Sequence, residues 1–176
     1  MNQVLKSKGI NFGLFYGLYL ISIILYAYAI DQNFFTSYWL MGLSLLGFFV
    51  HGFWVIGSLK KAQGGYATFK EAFSVFFLAN AIGLLISTIM TILIFVVIDP
   101  DLQVTVKDMT IEKTTQMLQD FGLDSEAIDK SIQEIKDQDS YSVGAQVKGY
   151  FFSLIFASVF GLLFSLILKK KKEEQY

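Results

Sequence analysis

The sequence holds no cysteine and no arginine, and only one proline and one histidine among its 176 residues. Without cysteine there is no disulfide, no thiol nucleophile and no thiolate metal site. Without arginine the planar fork that grips phosphate in two places is missing, and every cation is a lysine point charge. A lone histidine at position 51 excludes metal sites that need two or more His or Cys, and its place within an apolar run takes it out of any aqueous Ser-His-Asp triad. Charge is scarce as well: charged residues make up 16% and the net charge is −1, so nothing in the balance points to nucleic acid. What is abundant is apolar. Hydrophobic residues reach 54%, with 18 Phe and 9 Tyr, more than a small soluble domain can hide in its core. The excess must face lipid.

Reading between charges gives four uncharged runs, Gly9 to Ile30, Gln32 to Leu59, Ala72 to Ile98 and Gly149 to Leu168, of 22, 28, 27 and 20 residues. A membrane-spanning helix needs roughly 20 apolar residues. The sequence therefore predicts an all-α fold, an integral membrane four-helix bundle with spans near 10–30, 39–59, 72–98 and 147–168. Phe34, Phe35, Tyr38 and Trp39 read as an aromatic belt before the second span. Residues 1–98 and 146–176 form the bundle, and 99–145 form a small extracytoplasmic helical insert between the third and fourth spans. The first span is long for a secretory h-region despite its Ala27-Tyr28-Ala29, so it reads as a retained anchor.

Lysines mark one side of the membrane. Lys6 and Lys8 precede the first span, Lys60, Lys61 and Lys70 lie between the second and third, and Lys169 to Lys172 follow the fourth. On the other side lie Asp31 and the stretch Asp99 to Lys148, in which 11 acids outnumber 5 lysines. The positive-inside bias makes both termini cytoplasmic and the insert periplasmic. Within the cytoplasmic loop, Gly64 and Gly65 permit a tight turn, and Thr68 and Glu71 have capping-box spacing. The loop lacks the glycine-lysine pattern of a phosphate cradle. In the insert, Ile111, Met117, Leu118 and Phe121 suggest a helix ending at Gly122, with Asp124 capping a second through Ile128, Ile132 and Ile135. So small a unit buries little core and should lean on the bundle or on a partner. Its acids follow no calcium-loop pattern and read as a solvated face.

Small residues recur every fourth position: Gly9, Gly13 and Gly17 in the first span; Ala79, Gly83, Ser87 and Thr91 in the third; Gly149, Ser153, Ala157, Gly161 and Ser165 in the fourth. Such ridges let backbones approach closely in lipid, where helices gain nothing from hydrophobic exclusion of one another. They serve either to pack this one bundle or to meet a second copy or a membrane protein partner. The second span differs, since Gly42, Gly47, Gly52 and Gly57 come every fifth residue and cannot share a face. The polar residues singled out within spans are His51 and Asn80, each about 14 Å from the lysine edge at 1.5 Å per residue. Their matched depth suggests an interhelical hydrogen bond between antiparallel neighbours, or a polar lining of a pathway.

The lysine segment with Lys8-Gly9-Ile10, the loop Gly64-Gly65-Tyr66-Ala67-Thr68-Phe69-Lys70-Glu71-Ala72-Phe73, Asp99-Pro100-Asp101 and the small-residue fourth span resemble a bacterial family of four-span membrane proteins, domain of unknown function family 4199. The resemblance covers nearly the whole chain. It implies a Gram-negative inner-membrane location and an envelope role, with a membrane-associated glycosyltransferase as one conceivable partner. It carries no catalytic residues and no cofactor. The resulting expectation is a non-enzymatic assembly protein; the alternative is a small transporter or lipid-handling protein that uses His51 and Asn80.

Overall fold

Most helices in this chain start at a polar side chain that accepts a hydrogen bond from an amide of the first turn. In the computed structural model, which describes residues 2–170, Asn2 accepts from the Val4 amide and α1 runs over Gln3–Ala29. A short 3-10 turn, Gln32–Thr36, starts at Asp31, and α2, Tyr38–Ala62, starts at Ser37, whose hydroxyl accepts from the Trp39 amide at 3.2 Å. Helix α3, Phe69–Ile92, begins with the full capping box: the Glu71 amide donates to the Thr68 hydroxyl, and the Glu71 carboxylate accepts from the Thr68 amide at 2.8 Å. Asp124 caps α5, Ser125–Asp137, and Ser142 caps α6, Val143–Leu168. Each cap satisfies amides that have no intrahelical partner. Losing the Thr68 hydroxyl in Thr68→Ala should cost about 1 kcal/mol of thermal stability in detergent.

The architecture is all-helical. Helices α1, α2, α3 with its continuation to Ile98, and α6 are each long and apolar enough to cross a membrane. Between α2 and α3 the chain turns through Gly64 at φ +73° and Gly65 at φ +96°, left-handed values that side chains resist. Ala67 in this loop exchanges two backbone hydrogen bonds with Lys170, tying the loop to the end of α6. Lys171 and Lys172 lie outside the described residues.

Helix α3 occupies the centre, with its most extensive contact against α1 and the next against α6. Helices α1 and α3 run parallel, and their rows of side chains match. Leu78, Ile82 and Ile86, four apart, sit over Gly9, Gly13 and Gly17, also four apart. A Cβ on Gly13 would come within 2.9 Å of the Ala79 carbonyl oxygen. On α6, Gly161 receives the Phe76 ring, and Ala157 and Ser165 are buried beside it. The four-residue ridges are thus turned inward. At the far end of α6 the ridge opens: nothing lies within 4 Å of a Cβ placed on Gly149. There Ser153 and Gly149 diverge from Ser87 and Thr91 around a cavity of about 220 Å³.

Helix α2 is held more loosely. Its five-residue glycines point different ways, Gly47 lying under Tyr19, Gly52 against Phe76 and Phe164, and Gly42 and Gly57 facing open space. Steps of about 140° per five residues account for this.

Helix α3 ends in a π-turn over Leu93–Ile98, where the Asp99 amide donates to the Ile94 carbonyl. The wider turn frees the Phe95 carbonyl, which Gln103 takes at 2.6 Å. This region seats the insert. Helix α4, Leu102–Asp120, starts earlier than its apolar residues suggest, because Leu102 and Val106 join Ile94 and Phe95 in a second core. Phe95 stacks on Tyr141 at 4.6 Å between ring centres, and burial there raises the Tyr141 pKa. Further out, Lys113 donates to the Thr36 carbonyl and Tyr38 to the Met117 sulfur. The insert therefore leans on the bundle, with α4 passing over the α1–α2 connection. At its return, the Asp139 carboxylate accepts from the Ser142 hydroxyl and amide, and both hold its pKa below the usual range.

Candidate functional site

Helix α1 carries Phe12 and Tyr16 one helical repeat apart, on the flank of its glycine ridge, and Tyr19 follows. On α2, His51 comes to lie against this aromatic row. Its ring stacks on Tyr16 with centres 4.5 Å apart and planes 10° from parallel, and Phe12 is 6.3 Å away. Phe12 in turn meets Trp54 edge to face at 5.1 Å. The Tyr19 hydroxyl donates to the Leu43 carbonyl at 2.7 Å, joining α1 to α2. Between the two helices a groove of about 290 Å³ remains. Tyr16 and His51 form its buried floor, and Phe15, Leu46, Val50 and Trp54 form an exposed rim. In a membrane this opening faces lipid.

His51 and Asn80 do not pair. The Asn80 amide donates to the Phe76 carbonyl one turn earlier in its own helix at 2.9 Å, and Asn80 Oδ1 and His51 Nε2 are both buried without a hydrogen-bond partner. Matched depth is not matched rotation: α3 presents its Ala79 and Gly83 edge to α1, and Tyr16, packed on Gly83, lies under His51. Asn80 is not part of the groove wall, so the two residues do not line one path. A larger cavity of about 440 Å³ lies on the other flank of α2, toward α6, lined by Ser44, Phe48, Leu84 and Phe152 among others, and Tyr16 reaches this one too.

The loop residues serve structure. Gly64 and Gly65 make the turn and Thr68 and Glu71 the cap, while Gln63 adds a hydrogen bond from its amide to the Glu71 carboxylate at 3.1 Å. Among the described residues no three His, Asp or Glu side chains converge as a metal site would require. The family model described as Protein of unknown function (DUF4199) matches residues 11–170. The chain belongs to this family. No curated protein and no solved structure matches it. The DUF4199 match takes in all the groove residues, together with the insert and the Gly64-Gly65 loop.

Tyr16 is the residue that sequence reading passed over. It packs on Gly83, stacks on His51 and borders both cavities. One signal for it existed: Phe12, Tyr16, Leu20 and Ile23 fall on one stripe beside the glycine ridge. In this DUF4199 chain the arrangement can take up an apolar chain beside an imidazole.

Proposed function

We propose that this chain is a non-enzymatic, multi-pass protein of the bacterial inner membrane that assembles with an envelope-biogenesis partner through its insert. One observation carries the reading. The α4–α5 hairpin is seated at its root by the Phe95 and Leu102 core, yet its tip exposes Phe121 at 73% of its surface, with Leu123 and Met117 beside it. Exposed apolar anchors within a polar surround are what protein–protein contacts use. Gly9, Gly13, Gly17 and Gly161 are taken up by packing within the bundle, which favours the insert as the partner surface in this reading. The transporter alternative has weaker support, because the groove that reaches His51 does not reach Asn80.

Two experiments test this. Full-length protein purified in mild detergent should carry along a defined set of envelope membrane proteins, glycosyltransferases among the candidates, and Phe121→Ser with Leu123→Ser should lose them while the bundle stays folded. Recovery of the same set with the double variant would overturn the reading. For topology, the cysteine-free background allows single cysteines at Gln63 and Ser125. Maleimide should reach Ser125→Cys from the periplasm and Gln63→Cys only after the membrane is opened; labelling of both from one side would refute the orientation.

A further inference from the structure

The lateral groove is bounded on one side by Trp54. On the lysine side of that indole, which packs edge to face on Phe12 and keeps its outer face exposed, lies a second, open pocket of about 650 Å³ lined by Lys8, Trp54, Gly57, Ser58 and Lys61. Trp54 is a wall of both spaces. Helix α2 supplies most of the lysine-side pocket and α1 reaches it through Lys8. The mouth holds two ammonium groups and a hydroxyl and no carboxylate among its described lining residues, and the groove on the far side of Trp54 is apolar down to Tyr19 and Gly47.

The dimensions fit one leaflet. From Lys8 to Tyr19 along α1 is eleven residues, roughly 16 Å at 1.5 Å per residue. Half of a bilayer's hydrocarbon thickness is about 15 Å. A chain lying in the groove would therefore start at headgroup depth beside the lysines and end near the midplane. Two lysines attract negative charge, and lysine-rich sites at a membrane edge select anionic headgroups.

We propose that the α1–α2 cleft is a binding site for one anionic phospholipid of the leaflet on the lysine side. Its phosphate sits between Lys8 and Lys61 with Ser58 as a hydrogen-bond donor. One acyl chain passes Trp54 and lies over Tyr16 and His51. The site stands apart from the partner role of the insert, which is at the opposite end of the bundle. The loose packing of α2 has a use in this arrangement, since the lipid chain fills space that side chains leave open.

Trp54 reports on occupancy directly. In a Trp39→Phe background it is the remaining tryptophan, and the full-length protein in detergent can be titrated with phosphatidylglycerol brominated on its acyl chains. Saturable quenching at low mole fraction is expected, with brominated phosphatidylcholine at least tenfold weaker. Lys8→Gln with Lys61→Gln should remove about tenfold of that difference. Gly57→Glu provides a second variant: a Cβ there meets nothing among the described residues within 4 Å, so their packing is undisturbed while a carboxylate enters the mouth, and it should weaken phosphatidylglycerol similarly. Equal quenching by both lipids, or selectivity that survives both variants, would overturn the proposal. Displacement of phosphatidylglycerol by millimolar inorganic phosphate would also overturn it, by assigning the mouth to free phosphate instead of a lipid.

Discussion

Replacing Gly13 with leucine is expected to destabilise the protein by about 3 kcal/mol or more, seen as a fall of roughly 5–10 °C in its thermal midpoint in detergent. The reason lies in what faces the glycine. A Cβ would stand 2.7 Å from Ile82 Cβ and 2.9 Å from the Ala79 carbonyl oxygen. The first atom is close to its own backbone and the second belongs to one, so neither can rotate away. Helices α1 and α3 must separate, and with them go the contacts at Gly9 and Gly17, where Leu78 and Ile86 fill the gaps. Gly13→Ala should already be destabilising, although alanine favours a helix by about 1 kcal/mol over glycine. Gly42→Ala is the matching control. Nothing lies within 4 Å of its Cβ, so propensity acts alone and stability should stay level or rise. If Gly13→Leu left the midpoint unchanged, the parallel α1–α3 seam would be wrong.

The second large effect is expected at Gly161, where leucine should cost about 2–3 kcal/mol. Its Cβ would meet Phe76 at 2.8 Å and Phe73 at 3.3 Å. Phe76 is fully buried and held by Phe48, with ring centres 5.7 Å apart, and by Phe164 at 5.4 Å. The ring has nowhere to go, so α6 must move away from α3. Gly52 on α2 touches the same Phe76 ring from another side. Substitutions at Gly161 and Gly52 should therefore be non-additive by 0.5 kcal/mol or more, whereas Gly161 and Gly13, on different seams of α3, should combine nearly additively. Detergent melting of the single and double variants measures both statements. Additivity at Gly161 with Gly52 would mean that the ring relaxes independently toward each helix.

Much of the local structure was readable without coordinates because it depends on neighbours in the chain. The Thr68 and Glu71 cap, the left-handed turn at Gly64 and Gly65, the stop at Gly122 with φ +74° and the Asp124 cap follow from groups two to four residues apart. Element edges shifted for the same kind of reason in reverse. Helix α1 begins at Gln3, before its lysines, because an exposed lysine extends a helix as readily as an apolar residue. The π-turn at Leu93–Ile98 had no local signal. Its partners come from the insert: Gln103 takes the freed Phe95 carbonyl, and Tyr141 stacks on the Phe95 ring.

Apolar length and the placement of lysine and acid determined the four spans and the acidic insert, since the cost of burying charge in lipid acts on each segment separately. Four-residue spacing determined which helix faces allow close approach. Which ridge meets which helix was a tertiary decision. Chain order puts α1 next to α2 and α2 next to α3, yet the most extensive contact is between α1 and α3, where Gly9, Gly13 and Gly17 accept Leu78, Ile82 and Ile86 in register. In lipid, helices associate by packing and not by exclusion from water, so complementary relief outweighs sequential proximity. That choice rotates α2 outward, sets His51 on Tyr16 instead of Asn80, and opens the groove beside Trp54. Depth along a helix is a sum over sequence, whereas rotation about its axis is settled only by the neighbours that the whole fold supplies.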